Sequence, residues 1–175
     1  MIKTKISLIP YPDTVDDSIL VAIPKYFNDS ACNILVGNHA GSGNNHKELL
    51  NKLVKFKNEN IRIVVPLNYG NKNKKYIESV IEYGQELFDS KFHPIIKLLP
   101  FNDYLALMKS INVTIIDTIK QTGLAAIYNT IRSNGLLILR RNGHNFLWMN
   151  YLGIKVKTTE FLDEAKKIED LSPFD

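Results

Sequence analysis

The sequence predicts an α/β domain with a parallel sheet of about six strands, and three observations predict it. Short apolar runs alternate along the chain with longer stretches whose apolar residues recur at helical spacing. The runs are continuously apolar rather than alternating, as strands covered on both faces are. Glycine, proline and asparagine stand at the ends of most segments, where turns are needed. Strand–helix–strand alternation brings each strand back parallel through a right-handed crossover. The result is a Rossmann-like, doubly wound domain.

The elements follow in order. Residues 1–32 are irregular, punctuated by Pro10, Pro12 and Pro24, and read as a linker or inter-domain segment; residues 33–175 form the domain. Asn33–Gly37 is the first strand. Asn44 or Asn45 caps a helix to about Phe56, with Leu49, Leu50, Leu53 and Val54 on its apolar side. Ile61–Val65 is strand two, stopped by Pro66, and a helix from about Asn73 to Phe88 carries Tyr76, Ile77, Val80 and Ile81. Pro94–Leu99 is strand three, and Asn102 or Asp103 caps the short helix after it. Val113–Ile116 is strand four. Thr122 opens a helix to about Arg132, ended by Asn134-Gly135. Leu136–Leu139 is strand five, Asn145–Tyr151 a short helix, Ile154–Lys157 strand six, and a last helix starts at Glu160.

Composition excludes several classes. With 45% hydrophobic and 23% charged residues the chain is neither disordered nor fibrous. Its longest apolar runs fall far short of the roughly 20 residues of a membrane helix, and Met1–Ile6 lacks the apolar core of a signal peptide. A single cysteine, Cys32, rules out an internal disulfide and suits a reducing cytoplasm. The net charge of +4 suits an anionic ligand or an anionic membrane surface and is too small for a nucleic-acid footprint. Four scattered histidines and one cysteine give no metal-ligand spacing.

Ligands of doubly wound sheets bind at the carboxyl ends of the strands, so the loops there carry the functional reading. Gly37-Asn-His-Ala-Gly-Ser-Gly43 frees backbone amides to turn toward an anion ahead of a helix start, and Asn38 and Ser42 add donors. Asp117–Gly123 offers the same chemistry, with Lys120 beside Gln121, Thr122 and Gly123. Two such termini on one sheet edge favour a diphosphate. Leu98-Leu99-Pro100-Phe101 is an apolar turn suited to a flat base. Lys120 and Arg141 are the candidate charge partners, His39 and His46 read as surface residues, and Trp148 and Phe146 as packing for strand six.

Taken in order, Asn33-Ile-Leu-Val-Gly-Asn38, Val65-Pro-Leu-Asn-Tyr69, Tyr76-Ile-Glu-x-Val80 with Gly84-x-Glu-Leu-Phe88, Tyr104-Leu-Ala-Leu-Met108 and Gln121-x-Gly123 resemble the TDP-N-acetylfucosamine:lipid II N-acetylfucosaminyltransferases, the 4-alpha-L-fucosyltransferases, in their C-terminal half. The resemblance runs from about Ile6 to Asp163. It implies a GT-B fold, in which this chain is the nucleotide-sugar domain and a second domain, outside the sequence, handles the acceptor. It implies a dTDP-linked 4-acetamido-4,6-dideoxygalactose as donor and a polyprenyl-diphosphate disaccharide as acceptor. It places the reaction in enterobacterial common antigen assembly at the cytoplasmic face of the inner membrane. No metal or other cofactor is implied, and the half alone is expected to be inactive in transfer. The donor-binding residues on this reading are Gly37, Asn38, Asn68, Tyr69, Leu99 and Pro100, joined by Lys120, Gln121, Thr122, Gly123 and Arg141. The catalytic base is expected in the other domain. Many GT-B relatives carry paired glutamates across the helix after strand four; Gln121 and Thr130 occupy that region here, so no ribose-binding carboxylate is evident.

Two other classes share the architecture. A nicotinamide-dependent reductase would use Gly37-x-x-x-Gly41-x-Gly43 and Tyr151-x-x-x-Lys155, but Pro66 stands where an acidic ribose ligand belongs and Gly153 interrupts the Tyr–Lys helix. A non-catalytic binding module remains compatible with the fold; a phospho-acceptor receiver does not, because Gly37-Asn38 and Leu99-Pro100 replace the acidic residues it needs.

Overall fold

The computed structural model describes residues 22–70 and 73–172. Strands β1 (Cys32–Val36), β2 (Ile61–Pro66), β3 (Phe92–Ile95), β4 (Val113–Ile116), β5 (Leu136–Leu139) and β6 (Lys157–Thr158) form one sheet in the order β3-β2-β1-β4-β5-β6. Every pairing is parallel, with Ile34 of β1 in register with Ile63 on one side and Val113 on the other. The doubly wound expectation holds. The chain winds outward from β1 to β3, then returns to lay β4 against the opposite side of β1. The loops after β1 and β4 therefore diverge from a topological switch point, where such sheets open a crevice.

Helices α1 (His46–Leu53), α2 (Lys74–Phe88), α3 (Phe101–Ser110), α4 (Leu124–Arg132), α5 (His144–Tyr151) and α6 (Phe161–Glu164) cover both faces. Successive strand side chains point to opposite sides. Ile34, Val36, Ile63 and Val65 thus meet Leu49, Leu50 and Leu53 of α1 with Leu162 and Leu171 near the C-terminus. On the reverse face Leu35 and Val64 meet Leu107 and Met108 of α3, and Leu137 and Leu139 join Ile127 of α4 and Met149 of α5. Trp148 and Phe146 pack beside Ile154 and Val156, as the sequence suggested.

The differences lie at the ends of elements. β3 begins two residues before Pro94 and is finished at Ile95, whose carbonyl receives the Leu67 amide (2.8 Å). A proline is tolerated there because an edge strand needs ladder bonds on one side only. Residues 96–99, expected as strand, leave the sheet, and Leu98 is 78% exposed. Pro100, rather than Asn102 or Asp103, stands at the N-cap of α3, its carbonyl accepting from Tyr104 (2.9 Å). Asp103 lies in the first turn, where a carboxylate suits the helix dipole. β6 starts at Lys157, because the Ile154 amide is spent on the Met149 carbonyl at the end of α5. The helix expected from Glu160 is the four-residue α6, followed by a 3₁₀ turn over Ile168–Leu171.

The expected linker divides. Residues 1–21 lie outside the described residues. Close to Ala22 the chain is already docked: the Tyr26 amide donates to Ser110 Oγ (2.7 Å) and Ala106 O (3.1 Å), and Arg62 lies over the Phe27 ring, 4.0 Å from its centre.

Candidate functional site

The crevice is built around Asn38. Its side chain is buried just past β1, and it touches both other rim loops. Its Oδ1 accepts from the Thr122 hydroxyl (2.9 Å) after β4, and its Nδ2 donates to the Tyr69 hydroxyl (3.4 Å) after β2. Its amide donates to Asn44 Oδ1 (3.3 Å) within its own loop. Asn38 is thus a bracket for three loops that sequence separates widely.

Gly123 makes the close approach possible. It caps α4 with φ +72°, and a Cβ there would lie 2.9 Å from Asn38 Cβ and Cγ and 3.0 Å from Ile116 Cδ1. Both the backbone conformation and the space require glycine. Thr122, expected as the cap, instead spends its hydroxyl on Asn38. Gly37 also has φ +72°, with His46 Nε2 only 2.5 Å from where its Cβ would be. The two glycine-bearing loops stand side by side on one rim.

Two hollows flank that rim. The first, about 370 Å³, is apolar: Leu98, Leu99, Tyr104, Leu107 and Met108 line it, with Asn38, Asn68, Tyr69, Gly123 and Ala125 around the mouth. That volume lies within the range of small-ligand pockets, roughly 300–1,000 Å³. One polar atom stands out. Asn68 donates through Nδ2 to the Lys97 carbonyl (3.1 Å), which fixes the amide, and its Oδ1 is buried with no hydrogen-bond partner. A donor on a ligand is what such an oxygen requires.

The second hollow, about 430 Å³, is the more polar of the two, lined by His39, Ser42, Asn45, Thr118, Lys120, Thr122 and Arg140 beside Ile119. Asp117 is nearly fully buried beside it. Its Oδ2 accepts from Asn45 Nδ2 (2.8 Å) and lies 3.7 Å from the Arg140 guanidinium. That carboxylate is thus already occupied, and Lys120 stands as an exposed cation on the rim.

Of the residues singled out from sequence, Asn38, Asn68, Tyr69, Leu99 and Gly123 line the apolar hollow, and Lys120 and Thr122 the polar one. Gly37 stands behind them, Pro100 caps α3, and Gln121 is exposed at the tip of the β4–α4 loop. Arg141 turns away: its guanidinium faces Glu160 (3.4 Å) and the Thr158 hydroxyl (3.3 Å). Its neighbour Arg140 is the arginine at the hollow, a distinction that needs the geometry of the turn after β5. His46 corrects the surface reading. It is fully buried, with Nδ1 2.8 Å from the Tyr76 hydroxyl, and burial pushes its pKa down to about 4. His39 is half-buried, its pKa lowered by burial. Asn45, Asp117 and Arg140 were missed because their side chains meet across loops more than 20 residues apart.

A crevice at the switch point of a parallel sheet in this strand order marks the nucleotide-binding doubly wound domains, and several solved structures share the fold. The C-terminal domain of the glycosyl transferase group 1 family protein LpcC from Francisella tularensis aligns at 11% identity over 76% of this chain and 68% of that one, with a TM-score of 0.55. A glycosyltransferase from Rickettsia africae aligns at 18% identity over 66% of this chain and 30% of that one, TM-score 0.56. An E. coli trehalose-6-phosphate protein bound with UDP-2-fluoro glucose aligns at 11% identity over 77% and 34%, TM-score 0.57. These likenesses define the fold as that of a GT-B C-terminal domain, and the chain spans about a third of the length of the two longer proteins. A family model matches residues 1–169. The chain belongs to the 4-alpha-L-fucosyltransferase family, glycosyl transferase group 56.

Proposed function

We propose that this chain is the donor-binding half of a glycosyltransferase that moves 4-acetamido-4,6-dideoxygalactose from dTDP to a polyprenyl-diphosphate disaccharide. The observation that carries the reading is the pair of hollows, one apolar and one polar, on either side of one dipeptide: Thr122 lines the polar hollow and Gly123 the apolar one. The flat base occupies the apolar hollow against Leu99, Leu107 and Met108. Its imide N–H gives Asn68 Oδ1 the donor it lacks. The diphosphate crosses Gly123 to the first turn of α4, where free amides and the helix dipole meet negative charge. Glycine at position 123 lets the start of α4 close on Asn38 and Ile116, which sets those amides at the crevice.

In the reaction the bond between sugar C1 and the β-phosphate oxygen breaks as a bond to the acceptor oxygen forms. The acceptor's proton goes to a base on the other domain. This half stabilises the departing dTDP: charge gathering on the β-phosphate meets the α4 amides, Lys120 and Arg140. The acceptor domain faces the cytoplasmic leaflet, where its lipid-linked substrate lies. No helix among the described residues is long and apolar enough to cross a membrane.

Calorimetric titration with dTDP, the dTDP-sugar, UDP and NADPH tests the reading. Binding of dTDP and its sugar in preference to NADPH is expected. Absence of heat and of any thermal shift at millimolar dTDP would overturn it, and NADPH binding would move the chain to the reductases.

A further inference from the structure

We infer that His39 is a phosphate-positioning residue, a neutral hydrogen-bond donor that holds the diphosphate in the polar hollow; the inference rests on the donor-half reading above.

The argument starts from the proton on the ring. The Gly41 amide donates to His39 Nδ1 (2.8 Å), and the Asn44 side-chain nitrogen stands 3.5 Å from the same atom. A nitrogen that accepts carries a lone pair, so the single proton of a neutral imidazole is on Nε2. Burial lowers the pKa of the ring and keeps it neutral.

The ring is also fixed in direction. It lies in a slot made by two glycines. A Cβ at Gly41 would sit 2.3 Å from His39 Cε1, and one at Gly70 would sit 2.8 Å from Nδ1. Tyr69 leans on it, with ring centres 5.8 Å apart. Two missing side chains therefore make room for this imidazole in one orientation.

Nε2 has no protein partner among the described residues, and the residue lines the polar hollow together with Lys120 and Arg140. Asp117, the carboxylate beside the hollow among the described residues, is held by Asn45 and Arg140. Thr122 gives its hydroxyl to Asn38. Among the donors the hollow offers a ligand, His39 supplies a fixed N–H, while Lys120 supplies a flexible ammonium beside the Ser42 hydroxyl and the Arg140 guanidinium. A phosphate oxygen, which only accepts, suits that pair, and a charge-assisted bond from a fixed donor gains more than one from a mobile side chain. His39 therefore supplies geometry while Lys120 supplies charge.

A bracing role for the loop would also explain the Gly41 bond, and two variants separate the roles. His39→Asn keeps an acceptor for the amide two residues on, the Asx-turn pattern, and removes the Nε2 donor. His39→Gln extends an amide N–H toward the position of Nε2. Calorimetry of the full chain with thymidine, dTDP and inorganic pyrophosphate is the measurement. H39N is expected to lose about tenfold or more in dTDP and pyrophosphate affinity, with thymidine unchanged and part of the loss recovered in H39Q. If the wild-type chain does not bind dTDP, the donor-half reading falls and this inference with it. If wild type binds dTDP and H39N binds it equally, the inference alone falls. Loss of thymidine and dTDP together in H39N would reduce His39 to a brace and overturn it too. Should H39N fail to fold, ¹⁵N imidazole spectra of the wild type decide: the Nε2–H tautomer with Nε2 shifted by pyrophosphate supports the inference, and an unmoved Nε2 overturns it.

Discussion

His46 opens helix α1 with its ring wholly removed from water, and that placement has a price in acid. Nδ1 meets the Tyr76 hydroxyl on α2, while Nε2 is buried without a partner beside Gly37. The folded state therefore refuses a proton that the unfolded chain accepts below its ordinary pKa of 6.5, down to about 4. Above pH 6.5 both states are neutral and the ring contributes no pH dependence. As pH falls from 6.5 to 4 the unfolded state gains the proton first, and stability drops by about 3 kcal/mol before levelling off. His39 and His93 are lowered in the same direction and steepen the slope. His46→Gln, which cannot titrate, should flatten most of the fall in urea midpoint between pH 7 and pH 4; an equally steep curve in the variant would place the cause elsewhere. Nothing in the sequence marks this burial. Asn45-His46 reads as a solvated helix start, and only the return of α2 across α1 encloses it. Cys32 is another case: burial raises its thiol pKa to about 11, so little thiolate forms. At pH 8 the native chain should react with a disulfide reagent far more slowly than the urea-unfolded chain, and equal rates would contradict its burial.

Elements were legible in proportion to how many sides they bury. β1, β4 and β5 are covered on both faces and their continuous apolar runs mark them almost to the residue. β3 and β6 are edge strands with one ladder each, so where they begin depends on what the loops do with spare amides. Helix packing adds a constraint that periodicity does not carry. Gly84, in the middle of α2, lets the helix lie on Phe92 of β3: a Cβ at Gly84 would be 2.2 Å and 2.3 Å from ring carbons of that buried side chain. Gly84→Ala gains about 1 kcal/mol of helix propensity. Overpacking costs about 1–3 kcal/mol, and here the ring is confined between helix and sheet, so destabilisation wins. Chemical denaturation should show Gly84→Ala less stable than wild type. Phe92→Leu should cost less in the Gly84→Ala background than in wild type, because the smaller side chain relieves the clash. Strictly additive costs would mean that the ring is not what the glycine accommodates.

At the scale of the whole molecule, the parallel sheet and its carboxyl-end rim could be read from alternation alone, and with them the loops that would meet a ligand. The hollows could not. The apolar one takes Leu99 and Tyr104 from the β3–α3 region, Asn68 from the turn after β2 and Ala125 from α4, residues that converge only after the chain has crossed back at the switch point. That convergence makes ligand binding and global stability one measurement. A ligand that binds only the folded chain, present at a hundred times its dissociation constant, stabilises it by about 2.7 kcal/mol, which for a chain of this size raises the melting temperature by roughly 5–10 °C. dTDP is expected to produce that shift. Ala125 is the place to block it: its side chain is exposed at the mouth of the apolar hollow, so Ala125→Leu adds bulk to the hollow without crowding the core. The variant should melt within about 2 °C of the unliganded wild type, since exposed substitutions usually stay within about 0.5 kcal/mol, and it should lose most of the shift with dTDP. A full dTDP shift in a normally folded Ala125→Leu chain would show that the nucleotide lies outside the apolar hollow, and the base would then have to be sought on the polar side of Gly123.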